Sequence, residues 1–231
     1  MNATGIVLAA GAGKRMNSSV QKQFLEVNGC PLIYYALKAF QESCIDRIIL
    51  VTGEESLEYC RREVVEKFGF TKVAGIVAGG SERYHSVYNG LKAARGSDYV
   101  LIHDGASPMV TTEHINELIE KVQRDKACIS GMPAKDTIKI TDYEGCVKST
   151  PDRRTLWVVH TPQAFDYQLI CRVHETFREA GCPEGITDDG MLVENYSDCT
   201  VKMVRGSYAN VKVTTPEDLM LAEVFLRMKK Q

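Results

Sequence analysis

The chain has 231 residues, 44% of them hydrophobic and 25% charged, with a formal net charge of −2. That balance suits one globular domain with a sizeable core and excludes a general binder of nucleic acid or anionic membrane, so any anion site must be local. The N-terminus has no basic segment ahead of an apolar core, and no apolar run approaches the ~18 residues of a membrane span, which predicts a cytoplasmic protein with no membrane partner.

Gly5 to Ala10 (GIVLAA) is an apolar run closed by glycines and reads as a strand buried on both faces. It runs into Leu8 to Phe24 (LAAGAGKRMNSSVQKQF), a bare glycine-rich turn beside Lys14, Arg15 and Lys22. Pro31 opens a helix whose apolar face is Leu32, Ile33, Ala36, Leu37 and Phe40. Arg47 to Thr52 is a second buried strand, and Glu55 to Phe68 a charged amphipathic helix. Val73 to Val77 is a strand broken by Gly79-Gly80, and Ser81 to Ala94 has a helical period. Tyr99 to His103 is a strand ended by Asp104-Gly105, and Thr112 caps a helix through Ile115, Leu118, Ile119 and Val122.

After Lys126 the pattern changes. Ala134 to Thr150 alternates with period two around a turn at Tyr143-Glu144-Gly145. It predicts an extended hairpin arm with little to bury within its own subunit, and therefore a homodimer formed through the arm. A helix from Tyr167 to Ala180 and a short helix after Thr187 follow, then strands at Val201 to Arg205 and Asn210 to Val213 and a final helix from Pro216. Asp188 and Asp189 read as acidic residues favoured at a helix N-terminus, with Thr187 as the cap. The alternation predicts a single α/β domain over residues 1–231. Its open sheet is Rossmann-like and mostly parallel, with helices on both faces and the arm protruding at about 134–154.

Eight cysteines carry no metal spacing, since the nearest pair, Cys171 and Cys182, stand eleven positions apart. They read as small buried hydrophobes in a reducing compartment.

A glycine-rich turn after a first strand lets backbone N–H groups approach an anion. It is not a P-loop: Leu8 stands five before Gly13, and Arg15 replaces the Ser/Thr that would hold magnesium. It is not a dinucleotide fingerprint either, because Met16 stands where a third glycine is needed, which speaks against an NAD-dependent oxidoreductase. Three cations beside the turn suit a more highly charged ligand, a nucleoside triphosphate.

The pattern LAAGxGxRM followed by QKQ resembles the signature of sugar nucleotidyltransferases. VAGGSERYHSV (77–87), VLIHDGASP (100–108), KDTIK (135–139), DRRTLW with HTPQAF (152–165), ITDD (186–189) and GSYANVKVTTPEDL (206–219) follow in order. This set resembles the 2-C-methyl-D-erythritol 4-phosphate cytidylyltransferase family over nearly the whole chain. The resemblance implies transfer of CMP from CTP to methylerythritol phosphate, releasing pyrophosphate.

It implies Arg15 and Lys22 as the catalytic cations at the α-phosphate and the leaving pyrophosphate. CTP would lie against Ala9, Ala10, Gly11, Gly13, Lys14, Gly79, Gly80, Ser86 and Asp104. Asp104, at the end of a strand, would hold Mg²⁺ or accept a ribose hydroxyl. Arg153 and Lys212 would flank the polyol phosphate, with Thr137 and Thr161 as hydroxyl contacts; an exchanged arm would bring Arg153 and Thr137 to the neighbour's site. Ser107 stands where the family carries arginine, which takes a permanent charge and up to five donors from the cleft. The open alternatives are a ribitol 5-phosphate cytidylyltransferase and a weakly active nucleotide-binding paralogue.

Overall fold

The computed structural model describes residues 1–11 and 21–228. β1 (Ala3–Ala9) is followed by a two-strand ribbon of β2 (Glu26–Val27) and β3 (Cys30–Pro31). Then α1 (Leu32–Glu42), β4 (Arg47–Thr52), α2 (Leu57–Tyr59) widening into a π-type turn over Cys60–Glu66, β5 (Val73–Ala78), α3 (Arg83–Ala93), β6 (Tyr99–Asp104) and α4 (Thr112–Asp125) alternate as expected. The remainder comprises β7 (Ala127–Pro133), the arm strands β8 (Ile140–Thr141) and β9 (Val147–Ser149), β10 (Trp157–Asp166), α5 (Tyr167–Glu179), α6 (Asp189–Tyr196), β11 (Lys202–Arg205) and α7 (Pro216–Met228).

The central sheet has the order β11-β7-β10-β6-β1-β4-β5. β10 alone runs against its neighbours β6 and β7; the other paired strands are parallel. Period-two geometry sorts each strand's residues to opposite faces. Val7, Leu50 and Leu101 enter one core with α1 and α4, whereas Ile6, Ile49, Val100 and Ile102 enter another with α3 and α5. A strand sandwiched this way must be apolar on both sides, which is why GIVLAA and RIILVT read as unbroken apolar runs. α7 lies over a smaller cluster with Val27, Leu32, Ala106 and Val213.

Several expectations need correction. β7 and β10 are full sheet strands that the pattern after Lys126 concealed. Asn210 to Val213 is not a strand; it is an irregular segment whose Val213 N–H donates to the Ala106 carbonyl, 2.8 Å away. The cap of α4 is Thr111, one residue before the expected Thr112, and that of α6 is Asp188, not Thr187, with its carboxylate accepting from Met191 N–H. In each case the side chain that caps has extended backbone, from which an oxygen reaches the first free N–H groups. All eight thiols are free, but only Cys60 and Cys128 are buried; Cys44 and Cys146 are exposed.

Candidate active site

The chain runs from β1 outward to β4 and β5, then returns to β6 on the other side of β1. The carboxyl ends of β1 and β6 therefore flank the switch point of the sheet, where open α/β sheets leave a crevice. Leu8 pairs in register with Asp104, so the glycine turn and the acidic strand end emerge side by side.

Two cavities open there. The first, about 290 Å³, is lined by Ala9, Ala10, Gly11, Lys22, Gly80, Ser86, Asp104 and Lys212, with Gln23 and Arg83. The second, about 270 Å³, is lined by Ser107, Thr161, Gln163, Thr187, Asp188 and Asn210 among others. Arg83, Asp104 and Lys212 line both and form their common wall.

The first cavity is shaped by close backbone packing. A Cβ on Gly79 would lie 2.5 Å from the Ala10 Cβ and 2.7 Å from Ser86 Oγ, so this turn needs glycine to meet the loop opposite. Gly79 N–H donates to the Thr52 carbonyl (2.7 Å), and Ser86 Oγ accepts from Gly80 N–H (3.0 Å), which fixes the 79–82 turn to α3. Gln23 donates to the Ala9 carbonyl. Lys22 donates to the Val213 carbonyl at 3.0 Å, tying the start of the chain to the segment that carries Lys212.

The common wall is a charge cluster. Lys212 Nζ lies 2.5 Å from Asp104 Oδ2, and Arg83 Nε donates to Asp104 Oδ1 at 3.4 Å. Arg83 Nη1 donates to Asp189 Oδ2 at 2.7 Å, and Asp189 Oδ1 is 3.2 Å from His174 Nε2. Burial alone would raise the Asp104 carboxyl, but the Arg83 and Lys212 charges outweigh it and hold it well below the usual carboxylate range. Asp189 is likewise lowered against its burial, by Arg83 and then His174. Both are anions in a largely dry setting, acceptable only because each is paired and hydrogen-bonded.

Behind the wall, His103 is fully buried, and burial pushes its imidazole down to about 4, so it is neutral near pH 7. Its Nε2–H donates to the Ser107 carbonyl (3.0 Å), which leaves Nδ1 to accept from the Thr161 hydroxyl (3.0 Å). Thr161 in turn accepts from Asp104 N–H at 3.1 Å. This hydrogen bonding of His103 locks together β6, β10 and the turn carrying Ser107. Gln163 donates to Asp188 and accepts from Gly190 N–H, holding the start of α6 against the same strand.

Of the anticipated site residues, Ala9, Ala10, Gly11, Lys22, Gly80, Ser86, Asp104, Thr161 and Lys212 converge on the two cavities, and Gly79 packs behind them. Gly13, Lys14 and Arg15 lie outside the described residues. Thr137 and Arg153 are exposed on the arm and line neither cavity; Arg153 donates to the Lys135 carbonyl at 2.7 Å. Arg83 and Asp189 were missed as a pair. A signal existed: a cation in the first turn of α3 opposes the helix dipole and calls for carboxylates nearby.

Comparison with known proteins gives the family. A family model described as IspD, 2-C-methyl-D-erythritol 4-phosphate cytidylyltransferase, matches residues 3–228. A protein of that name from Lachnoclostridium phytofermentans is 47% identical over 97% of this chain and 96% of its own. Another from Caldanaerobacter subterraneus subsp. tengcongensis is 47% identical over 98% of this chain and 100% of its own. A crystal structure of 4-diphosphocytidyl-2C-methyl-D-erythritol synthase from Anaerococcus prevotii superposes with a TM-score of 0.85 at 34% identity, covering 98% of this chain and 96% of that one. With its glycine turn, ordered motifs and paired cavities at the switch point, the chain belongs to the 2-C-methyl-D-erythritol 4-phosphate cytidylyltransferase family.

Proposed function

We propose that this chain transfers CMP from CTP to 2-C-methyl-D-erythritol 4-phosphate, giving CDP-methylerythritol and pyrophosphate, with CTP in the first cavity and the polyol phosphate in the second. The observation that carries the reading is the common wall: both cavities end on Asp104, Lys212 and Arg83, so the two substrates would meet there.

A phosphate monoester, with its second pKa near ~6, is largely dianionic at neutral pH and needs no protein base. One of its oxygens attacks the α-phosphorus of CTP in line with the departing pyrophosphate. The protein's task is position and charge neutralisation. Arg15 and Lys22 are assigned to the α-phosphate and the leaving group. Gly79, Gly80 and Ser86 would form the cytosine side, where a rigid backbone turn reads the base edge. Lys212 would exchange Asp104 for the incoming phosphate, and Thr161 would contact the same substrate.

Asp104 suits Mg²⁺. It is an ionised hard oxygen donor at the junction, and no cluster of three or more His, Cys, Asp or Glu residues that could hold a metal occurs among the described residues. Such a site must draw most of its ligands from the triphosphate, the usual manner for this ion. Bound there, Mg²⁺ would neutralise triphosphate charge.

The arm supports a homodimer. Ile138, Ile140, Tyr143 and Val147 are exposed on it, and Val158 and Val159 at its base. Covering these against a second copy would carry Thr137 and Arg153 toward the partner's second cavity; sedimentation of the protein with and without arm substitutions tests this. No helix among the described residues is long and apolar enough to cross a membrane. The eight free thiols support a reducing, cytoplasmic setting.

The deciding assay measures pyrophosphate release from each nucleoside triphosphate with methylerythritol phosphate or ribitol 5-phosphate. Release only with CTP and methylerythritol phosphate is expected. Preference for ribitol 5-phosphate, or no release, would overturn the assignment.

A further inference from the structure

Arg83 lies in the wall shared by both cavities, against the buried carboxylate of Asp189, and the chemistry above gives it no task. It starts α3, where its charge works against the helix dipole. Its Nε faces Asp104 and its Nη1 faces Asp189. Asp189 is 1% exposed, lines neither cavity and holds His174, itself 1% exposed, with its second oxygen. That anchor is therefore beyond the reach of substrate.

The two cations on Asp104 differ in kind. Lys212 is 46% exposed and grips Oδ2 with a compact charge on a flexible stem. Arg83 grips Oδ1 with a planar fork whose other tine is tied to Asp189. When a phosphate enters and competes for cations, the lysine can leave, while the arginine stays tethered from behind.

We propose that Asp189, steadied by His174, anchors Arg83 so that its guanidinium keeps Asp104 aimed at the junction after Lys212 turns to substrate. Arg83 and Asp189 are positioning residues: they act through Asp104. The inference rests on the two-cavity reading above.

The test uses the full chain and three variants, Arg83→Lys, Arg83→Gln and Asp189→Asn. Three quantities are read: the melting temperature, the calorimetric affinity for CTP with Mg²⁺ and with chelator, and kcat and KM separately. Groups that orient a metal-binding carboxylate typically carry about 10–100-fold in metal affinity or activity. A fall of that size in Mg²⁺–CTP affinity is expected for Asp189→Asn, with kcat lowered alongside it and chelated CTP binding not weakened. Arg83→Lys keeps the charge but cannot span two carboxylates, and should resemble Asp189→Asn.

A merely structural Asp189 would lower the melting temperature and leave the ratio of the two CTP affinities unchanged; that result, or parental behaviour of Arg83→Lys, overturns the inference. Should Asp189→Asn fail to fold, Arg83→Lys decides alone. Failure of the unaltered protein to bind CTP would overturn the two-cavity reading itself, and is thereby distinguished from failure of the anchor.

Discussion

Lys22 stands at the corner where the glycine turn, the first cavity and the C-terminal segment meet. A fixed cation aimed at developing phosphate charge is worth roughly 10²–10³ in turnover. Lys22→Ala should lose at least that in steady-state kinetics while its circular dichroism stays native; normal turnover would remove the catalytic role. Thr161 is a different case, a residue of the second cavity whose hydroxyl also donates to a neutral imidazole and accepts a backbone N–H. Thr161→Val strands both partners and should cost about 1–3 kcal/mol in urea unfolding. Lys22, Asp104 and Lys212 were legible in the sequence because their neighbours form recognisable motifs. Arg83 and Asp189 were not, although both lie inside quoted motifs, because their meaning is mutual and the chain places them 106 residues apart.

Elements built on an unbroken apolar run or a clean helical period were readable, and β4 matches its expected bounds residue for residue. β7 and β10 escaped because each breaks a rule of strand composition. β7 contains Gly131 and ends in Pro133, and β10 contains Pro162 within a polar stretch. β10 accommodates the proline where its register with β7 shifts, between Val159 and Gln163, so no regular ladder bond is forfeited. The contact of α3 with β1 shows how tightly the readable elements fit. A Cβ on Gly90 would meet Ile6 Cγ2 at 2.5 Å and Val51 Cγ2 at 3.1 Å. Helix propensity favours alanine there, yet overpacking of a close-packed core costs more. Gly90→Ala should destabilise the protein by about 1–3 kcal/mol, read from its denaturation midpoint; a gain in stability would show that α3 can lift from the sheet freely.

At the scale of the whole molecule, acid should act before any carboxylate titrates. Burial lowers His103 to about 4 and also lowers His114 and His160. Between those folded values and the unfolded value near ~6.5 the unfolded chain binds more protons, so stability is full above that pH and falls as pH drops. His103 alone could remove on the order of 3 kcal/mol by pH 4. The ion-paired Asp104 and Asp189 add a second loss only below the ordinary carboxylate range. Urea midpoints should therefore hold steady from pH 7.5 to about 6.5 and then decline toward pH 4.5. His114→Gln, which removes a half-buried imidazole bonded to Ser130 and Glu117, should flatten that decline; an unchanged slope would mean that His114 protonates without penalty.

β10 begins beside the arm at Trp157 and ends at Asp166 against α5, with Thr161 midway. At ~3.3 Å per residue, the wall of the second cavity lies only about 13 Å along one continuous strand from the arm's root. A grip on that root would act on the same strand that carries Thr161, so the arm and the wall of the second cavity share a single beam.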